Sequence, residues 1–579
     1  MRSLLTKAGG WLKGRPRGDV VIPVVLFAVV LITWLPRLRG PIDLRWDAGV
    51  YYVLGTSLAE GKGYKLLNEP GEIEATQYPP LLPAFIAACH LILGTSDPIV
   101  VGKWLRRVFF LISLLYIFVI YLMSKIYLPS GYAFLTTLVC LVNHQTNFLT
   151  DLCFPEIPFA LTTTLFVICN RKKAGRIYPL LSALFAVASF ALRTIGIALL
   201  AAWVAESLFN REFKKTLLRA AVSLMPILCW QFYISSVETG YQYQTPPYAY
   251  QRADYLYYNV SYAKNTLLID PFSPELGYLS CNDMAVRFLG NLTEMPKSVG
   301  GAVTSTERIW TLQRKTFERI FSFPIEFPWA VDFLLIMIGC LIFGGVGLQL
   351  ANRQWFIPFY VLLSVAAICL TPWPTQFSRY LAPLAPFLAL SLFQLLFTLK
   401  EQSYSNFAGK WKYTGSVFAG SLVSLILFEQ LVTLFLVYSK WHQRVVYHDR
   451  NGQKSVYRLF FYHDPHRALD AALDWLNSRA KSGEVVASSM PHWVYLRTGL
   501  KSVMPPFERD PDKAQDLLDS VPVKYLLLDV GLALETRKYT SPVVQNFPGQ
   551  WKRLYSDTVM SETGEVLEDR FEIYQRVAP

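Results

Sequence analysis

Charged side chains are scarce in this chain. Asp, Glu, Lys and Arg make up 17% of its 579 residues, against 53% hydrophobic and 15% aromatic, a balance that excludes a soluble multidomain enzyme. Cysteine is scarce too: there are eight, without a Cys-x-x-Cys spacing. Five of them, Cys140, Cys169, Cys229, Cys340 and Cys369, fall in apolar runs as packing residues, and the scattered Cys89, Cys153 and Cys281 make no disulfide framework. No Gly-rich phosphate loop joins a strand to a helix, so no nucleotide handle is present. Internal repeats and low-complexity tracts are absent, which counts against a transporter built from repeated halves. His463 and His466 lack a third metal ligand and read as a loop, and Asp510-Pro-Asp512, which imitates the aspartate pair of nucleotide-sugar transferases, is discounted because it sits in the outer tail.

What the chain has is long apolar runs. They cover 20–35, 108–127, 132–149, 157–169, 178–209, 217–234, 329–350, 355–370, 380–399 and 417–438. About 20 residues make one crossing. The run 178–209 is too long for one, and basic segments flank it on both sides, so it is expected to enter and return with its tip at Arg193-Thr-Ile-Gly. The pattern predicts an α-helical polytopic membrane protein of about 11 transmembrane helices. Arg2, Lys7, Lys13, Arg15 and Arg17 precede the first run and place the amino terminus in the cytoplasm, with the carboxyl terminus outside. The net charge of +13 is then accounted for by orientation and anionic lipid, and implies no nucleic acid. The expected layout is a membrane domain over 1–438, with outer loops 39–103 and 235–328, and a small outer α/β domain over 439–579. There, helix-like patterns alternate with short apolar strands such as Tyr525-Leu-Leu-Leu-Asp529.

Acids near hydrocarbon are costly, so those in the outer loops mark a functional site. Asp43-Leu-Arg-Trp-Asp47 follows the first run, and Asp151 and Glu156 occupy the tip between the third and fourth. Tyr78-Pro-Pro is expected to start an in-plane helix running to Leu93, because counting it as a span would put every later basic turn outside.

The stretch Asp47-Ala-Gly-Val-Tyr-Tyr, continued by Tyr78-Pro-Pro-Leu-Leu-Pro, resembles the first outer loop of the GT-C superfamily of membrane glycosyltransferases, in particular the bacterial protein-mannosyltransferase-like and aminoarabinose-transferase-like group. Residues 151–159 are similar to that family's second acidic loop, Ser378-Arg-Tyr-Leu-Ala-Pro-Leu-Ala-Pro386 to its late-span segment, and 485–499 to its outer carboxyl-terminal domain. The resemblance implies an inverting transfer of a sugar from a polyprenyl phosphate, undecaprenyl phosphate in a bacterial inner membrane, to a hydroxyl of a protein, lipid or glycan. Asp47 matches the catalytic aspartate, as general base. Some members carry Glu next; here it is Ala48. Arg379, then Arg193, are the candidates for the lipid phosphate, since guanidinium grips phosphate oxygens in a planar fork. Asp43 either caps the helix or shares a face with Asp47. For Asp151 and Glu156 three roles stay open: orienting the acceptor, completing a divalent metal site with Asp47, or pairing with Arg193. Tyr51, Tyr78 and Tyr248 offer aromatic faces for sugar rings. No cofactor is required by this reading, and a divalent metal stays an open option. The competing class is a transporter or flippase for a lipid-linked substrate.

Overall fold

The computed structural model describes residues 17–172, 175–322, 329–406, 412–440, 442–449, 452–462, 464–529, 534–560 and 566–577. Arg2, Lys7, Lys13, Arg15 and His463 lie outside the described residues, as do parts of the basic turns at 171–176 and 400–412. The chain is mostly helical, a multi-pass membrane protein with a small sheet domain at its carboxyl end. Among the described residues, five helices are long and apolar enough to cross a membrane: Pro98–Ser124, Phe213–Glu238, Trp329–Ala351, Pro374–Ser405 and Thr414–Lys440. Six shorter apolar helices include Leu81–Leu93, Ile177–Leu192 and Thr194–Phe209. These five full-length helices do not amount to the predicted 11 crossings, because several runs are short or divided.

Two divisions bear on the site. The run 178–209 breaks at Arg193, which is extended at φ −149° and ψ 135° between Ile177–Leu192 and a 3-10 turn, Thr194–Gly196. The run 132–149 breaks at Asn143, whose side chain accepts from the backbone N–H of Gln145 and Thr146 and so starts the short helix His144–Leu149. Both breaks leave polar groups at the ends of helices.

One long helix was not visible in the sequence. Cys281–Val303 lies inside the loop 235–328 and packs against Trp329–Ala351. Its apolar residues are interrupted by Asp283, Arg287, Glu294 and Lys297, so no continuous hydrophobic run announces it. A capping box at Ser280 and Asp283 begins it. Glycines let the two helices touch: a Cβ at Gly339 would run into the carbonyl oxygen of Pro296, and one at Gly300 into that of Leu335. Gly339→Ala is therefore expected to cost about 1–3 kcal/mol. A Cβ at Gly347 meets nothing within 4 Å, so Gly347→Ala serves as the control. Thermal unfolding in detergent checks this, and equal midpoints for the two variants would contradict it.

The carboxyl-terminal sheet has five strands in the order Lys501–Val503, Val485–Ala487, Val523–Asp529, Val566–Arg576 and Trp551–Met560. The first three are parallel and the last two antiparallel. Parallel strands need crossovers, here the helices Pro491–Thr498 and Pro511–Asp519. The sheet domain is fastened to the outer loops. Asn68 and Ser502 exchange hydrogen bonds of 2.8 and 3.0 Å, Lys501 Nζ lies 3.0 Å from Glu72 Oε1, and Tyr250 donates to Met504 O at 3.1 Å. Pro491–Thr498 thereby rests on the first outer helix, Asp47–Ala59.

Candidate functional site

Asp47 is the first residue of its helix, where a carboxylate faces the unpaired N–H groups of the first turn. The preceding Trp46 is held at φ 55° and ψ −138°, a conformation that non-glycine residues seldom adopt. Ring contacts hold it there: the rings of Phe148 and His466 at 6.2 and 5.2 Å, and the Arg45 guanidinium at 5.2 Å. His466 is buried in this packing. The strain is thus balanced by aromatic contacts, and it fixes where the helix begins.

Four charges form a line from that point. Asp47 Oδ2 lies 2.7 Å from Arg379 Nη2; Arg379 Nε lies 2.6 Å from Glu156 Oε1; Arg193 Nη1 lies 2.9 Å from the same oxygen. The Glu156 side chain is fully buried, whereas those of Asp47, Arg193 and Arg379 keep 15–18% exposure. Glu156 thus holds two guanidiniums from a position out of solvent, while the other three keep part of their surface open. Arg379 also covers the Phe154 ring at 4.2 Å and Arg193 the Tyr380 ring at 5.8 Å. Tyr258 donates from its hydroxyl to Asp47 Oδ1 at 3.3 Å, so both carboxylate oxygens have partners. Tyr51 and Tyr78 meet at 4.7 Å between ring centroids beside this line. Burial first, then the Asp47 charge, pushes both phenols well above their ordinary range, which keeps them neutral donors.

The sequence candidates therefore divide. Asp47, Glu156, Arg193 and Arg379 come together, with Tyr51 and Tyr78 alongside. Asp43 does not share a helical face with Asp47, because it precedes the helix in a bridge to Leu152. Its oxygens are taken by Arg45, at 2.9 Å from Nε and 2.5 Å from Nη2. Asp151 pairs not with Arg193 but with Arg37 at 2.9 Å and Arg106 at 3.3 Å, and accepts from the Phe460 backbone N–H. Tyr248 is buried away from the line, donating to Glu69 Oε2 at 2.7 Å with its ring edge on Tyr250. Asp43 and Asp151 tie the outer segments to each other and, through Phe460, to the carboxyl-terminal region, and Tyr248 ties the loop 235–328 to Glu69 of the first outer loop. Among the described residues no group of three or more His, Cys, Asp or Glu could hold a metal. Asp47 and Glu156 are joined through a guanidinium that a metal would have to displace, so the donor set does not fit one and no step is routed through it.

Two residues of the site were missed. Tyr258 lies in a stretch dense in tyrosine, 241–258, where no local pattern sets it apart from its neighbours. His492 has its ring 4.7 Å from that of Tyr258 at 80°. No local signal marks a histidine some 440 residues from Asp47 as its neighbour. Burial drives the His492 imidazole down to about 3, although the Asp47 charge opposes this. An unfolded histidine protonates below about 6.5, so the stability from burying this neutral ring is intact above that pH and lost as pH falls toward the folded value. The wild-type melting temperature is expected to fall more between pH 7 and pH 5 than that of His492→Phe, which cannot titrate. Parallel curves for the two proteins would refute this.

No family model and no curated protein matches the sequence. Solved structures do match. The oligosaccharyltransferase of Archaeoglobus fulgidus, tethered to an acceptor peptide containing the NVT sequon, has a TM-score of 0.52 at 12% identity, covering 96% of this chain and 74% of that one. AglB from the same organism, in complex with an inhibitory peptide and a dolichol-phosphate, gives 0.50 at 12% identity over 94% and 73%. ArnT from Cupriavidus metallidurans in the apo state gives 0.44 at 12% identity over 99% and 98%. The fold is the GT-C fold.

Proposed function

We propose that this chain is an integral-membrane glycosyltransferase that moves a sugar from a polyprenyl-phosphate donor to a hydroxyl acceptor, with inversion at the anomeric carbon. The observation that carries the reading is Arg379 bridging Asp47 and Glu156. A cation for the leaving phosphate and a carboxylate for the attacking hydroxyl stand side by side, both partly exposed, and the reaction needs both. The GT-C fold agrees with it, and in one such structure a dolichol-phosphate accompanies AglB.

In the reaction the acceptor O–H gives its proton to Asp47 as its oxygen bonds to the anomeric carbon. The bond from that carbon to the phosphate oxygen breaks, and the electron pair leaves with the polyprenyl phosphate. Arg379 and Arg193 face the charge that collects on the departing oxygens. In the resting site both guanidiniums are neutralised by Asp47 and Glu156, so the four groups carry no net charge. An incoming phosphate meets the guanidinium N–H groups of Arg193 and Arg379 that Glu156 and Asp47 do not occupy, and Asp47 acts as base while Arg379 still holds one of its oxygens. The amino terminus is cytoplasmic in this reading, and the site lies on the outer side. Undecaprenyl phosphate is the expected carrier in a bacterial host, and a protein or glycolipid the expected acceptor.

The test is transfer by purified protein from a panel of radiolabelled polyprenyl-phosphate sugars into a membrane extract. Label appearing in a protein, lipid or glycan fraction supports the reading and names the acceptor class. Wild-type protein that is folded yet transfers from no donor would overturn it and turn attention to transport of a lipid-linked substrate.

A further inference from the structure

Three segments far apart in the chain meet at Asp47. Its helix brings Asp47 and Gly49, the outer loop brings Tyr258, and the sheet domain brings His492 on the helix Pro491–Thr498. Gly49 is what allows the approach, since a Cβ there would stand 3.0 Å from both His492 Cβ and Leu44 O. Tyr258 is gripped by two rings, Tyr257 at 4.4 Å and His492 at 4.7 Å. His492 is 2% exposed, and its Nε2 has no hydrogen-bond partner among the described residues. What it offers Tyr258 is therefore the edge of a ring.

We propose that Tyr258 and His492 are positioning residues for the base, so that the carboxyl-terminal sheet domain completes the reaction centre. The inference rests on the glycosyl-transfer reading. Arg379 and Tyr258 hold different oxygens of Asp47, and together they fix the plane of the carboxylate and so the lone pair aimed at the acceptor. Proton transfer tolerates little error in that direction. Without His492 the Tyr258 ring has one neighbour fewer to oppose its rotation, the 3.3 Å hydrogen bond opens, and Asp47 is left to Arg379 alone. Docking of the sheet domain then acts on turnover through one ring contact.

The test uses the full-length protein and a donor that the wild type accepts. Tyr258→Phe and His492→Ala are each expected to lower kcat about tenfold, the worth of one hydrogen bond to a charged group, with KM for the donor unchanged. His492→Phe, which keeps the ring, is expected to restore most of the loss. The double variant Tyr258→Phe/His492→Ala is expected to be no slower than Tyr258→Phe alone, because both act through one bond. Losses that multiply, a His492→Phe as slow as His492→Ala, or a change confined to KM would overturn the proposal.

A second measurement needs no turnover. The melting shifts of Tyr258→Ala, His492→Ala and the pair should fall short of additivity if the rings support each other, and full additivity would overturn the proposal with or without a known donor. A wild type that transfers nothing fails the functional reading alone, and that failure shows in the wild-type lane before any variant is read.

Discussion

Asp47→Asn is expected to reduce sugar transfer by about 10²–10⁴-fold, the range for removing a general base, while leaving the protein folded. The amide matches the carboxylate in shape and still accepts from Tyr258, so the first outer helix keeps its start. What goes is the proton acceptor, together with one charge facing Arg379. That guanidinium retains Glu156 at 2.6 Å, which limits the structural cost. It also becomes freer to meet phosphate, so KM for the donor is expected to stay level or to fall. Initial rates with labelled donor, beside a melting curve in detergent, check both halves. Activity within a few fold of wild type would remove Asp47 from the role of base.

Replacing Arg379 is expected to do more, because it disturbs chemistry and stability together. Among the described residues, Arg379→Ala leaves the fully buried Glu156 with Arg193 as its remaining cation and Asp47 with Tyr258 as its remaining hydrogen-bond partner. Because Arg193 still pairs with Glu156, the loss is that of one charge-assisted contact to a buried carboxylate, about 1.5–3 kcal/mol. Turnover is expected to fall below detection and the melting temperature to drop. Arg379→Lys restores charge without the fork that reaches two carboxylates at once, so it should recover part of the stability and little of the rate. Arg379→Ala/Asp47→Asn should melt higher than Arg379→Ala, because the second change removes the anion that Arg379 had paired. A double variant less stable than the single one would show that the bridge does not carry this part of the fold.

The resemblance of short motifs brought forward Asp47, Glu156 and Arg379, and the tip of the run 178–209 brought forward Arg193; the structure gathers the four into one line. The same reasoning offered Asp43 and Asp151, and the structure ties these to Arg45, Arg37 and Arg106. Nothing in the spacing distinguishes the two groups. An aspartate in an outer loop reads the same in sequence whether its partner is an arginine more than 300 residues away, as for Asp47 and Arg379, or a neighbour two residues on, as for Asp43 and Arg45. Tyr248 and Tyr258 likewise stand in one tyrosine-rich loop, yet only Tyr258 reaches Asp47.

The sequence by itself determined that the chain belongs in a membrane, where its apolar segments run, that the run 178–209 must break near Arg193, and that strands and helices alternate in the tail. Hydropathy and turn chemistry are properties of adjacent residues, so they can be read in order along the chain. Only the tertiary structure decided that Arg379 bridges Asp47 and Glu156, that Cys281–Val303 is a packed helix, and that His492 of the sheet domain packs on Tyr258 beside Asp47. Each of these depends on side chains brought together across tens to hundreds of residues. Ion pairs and ring contacts act over a few ångströms of space, a distance that separation along the chain does not encode.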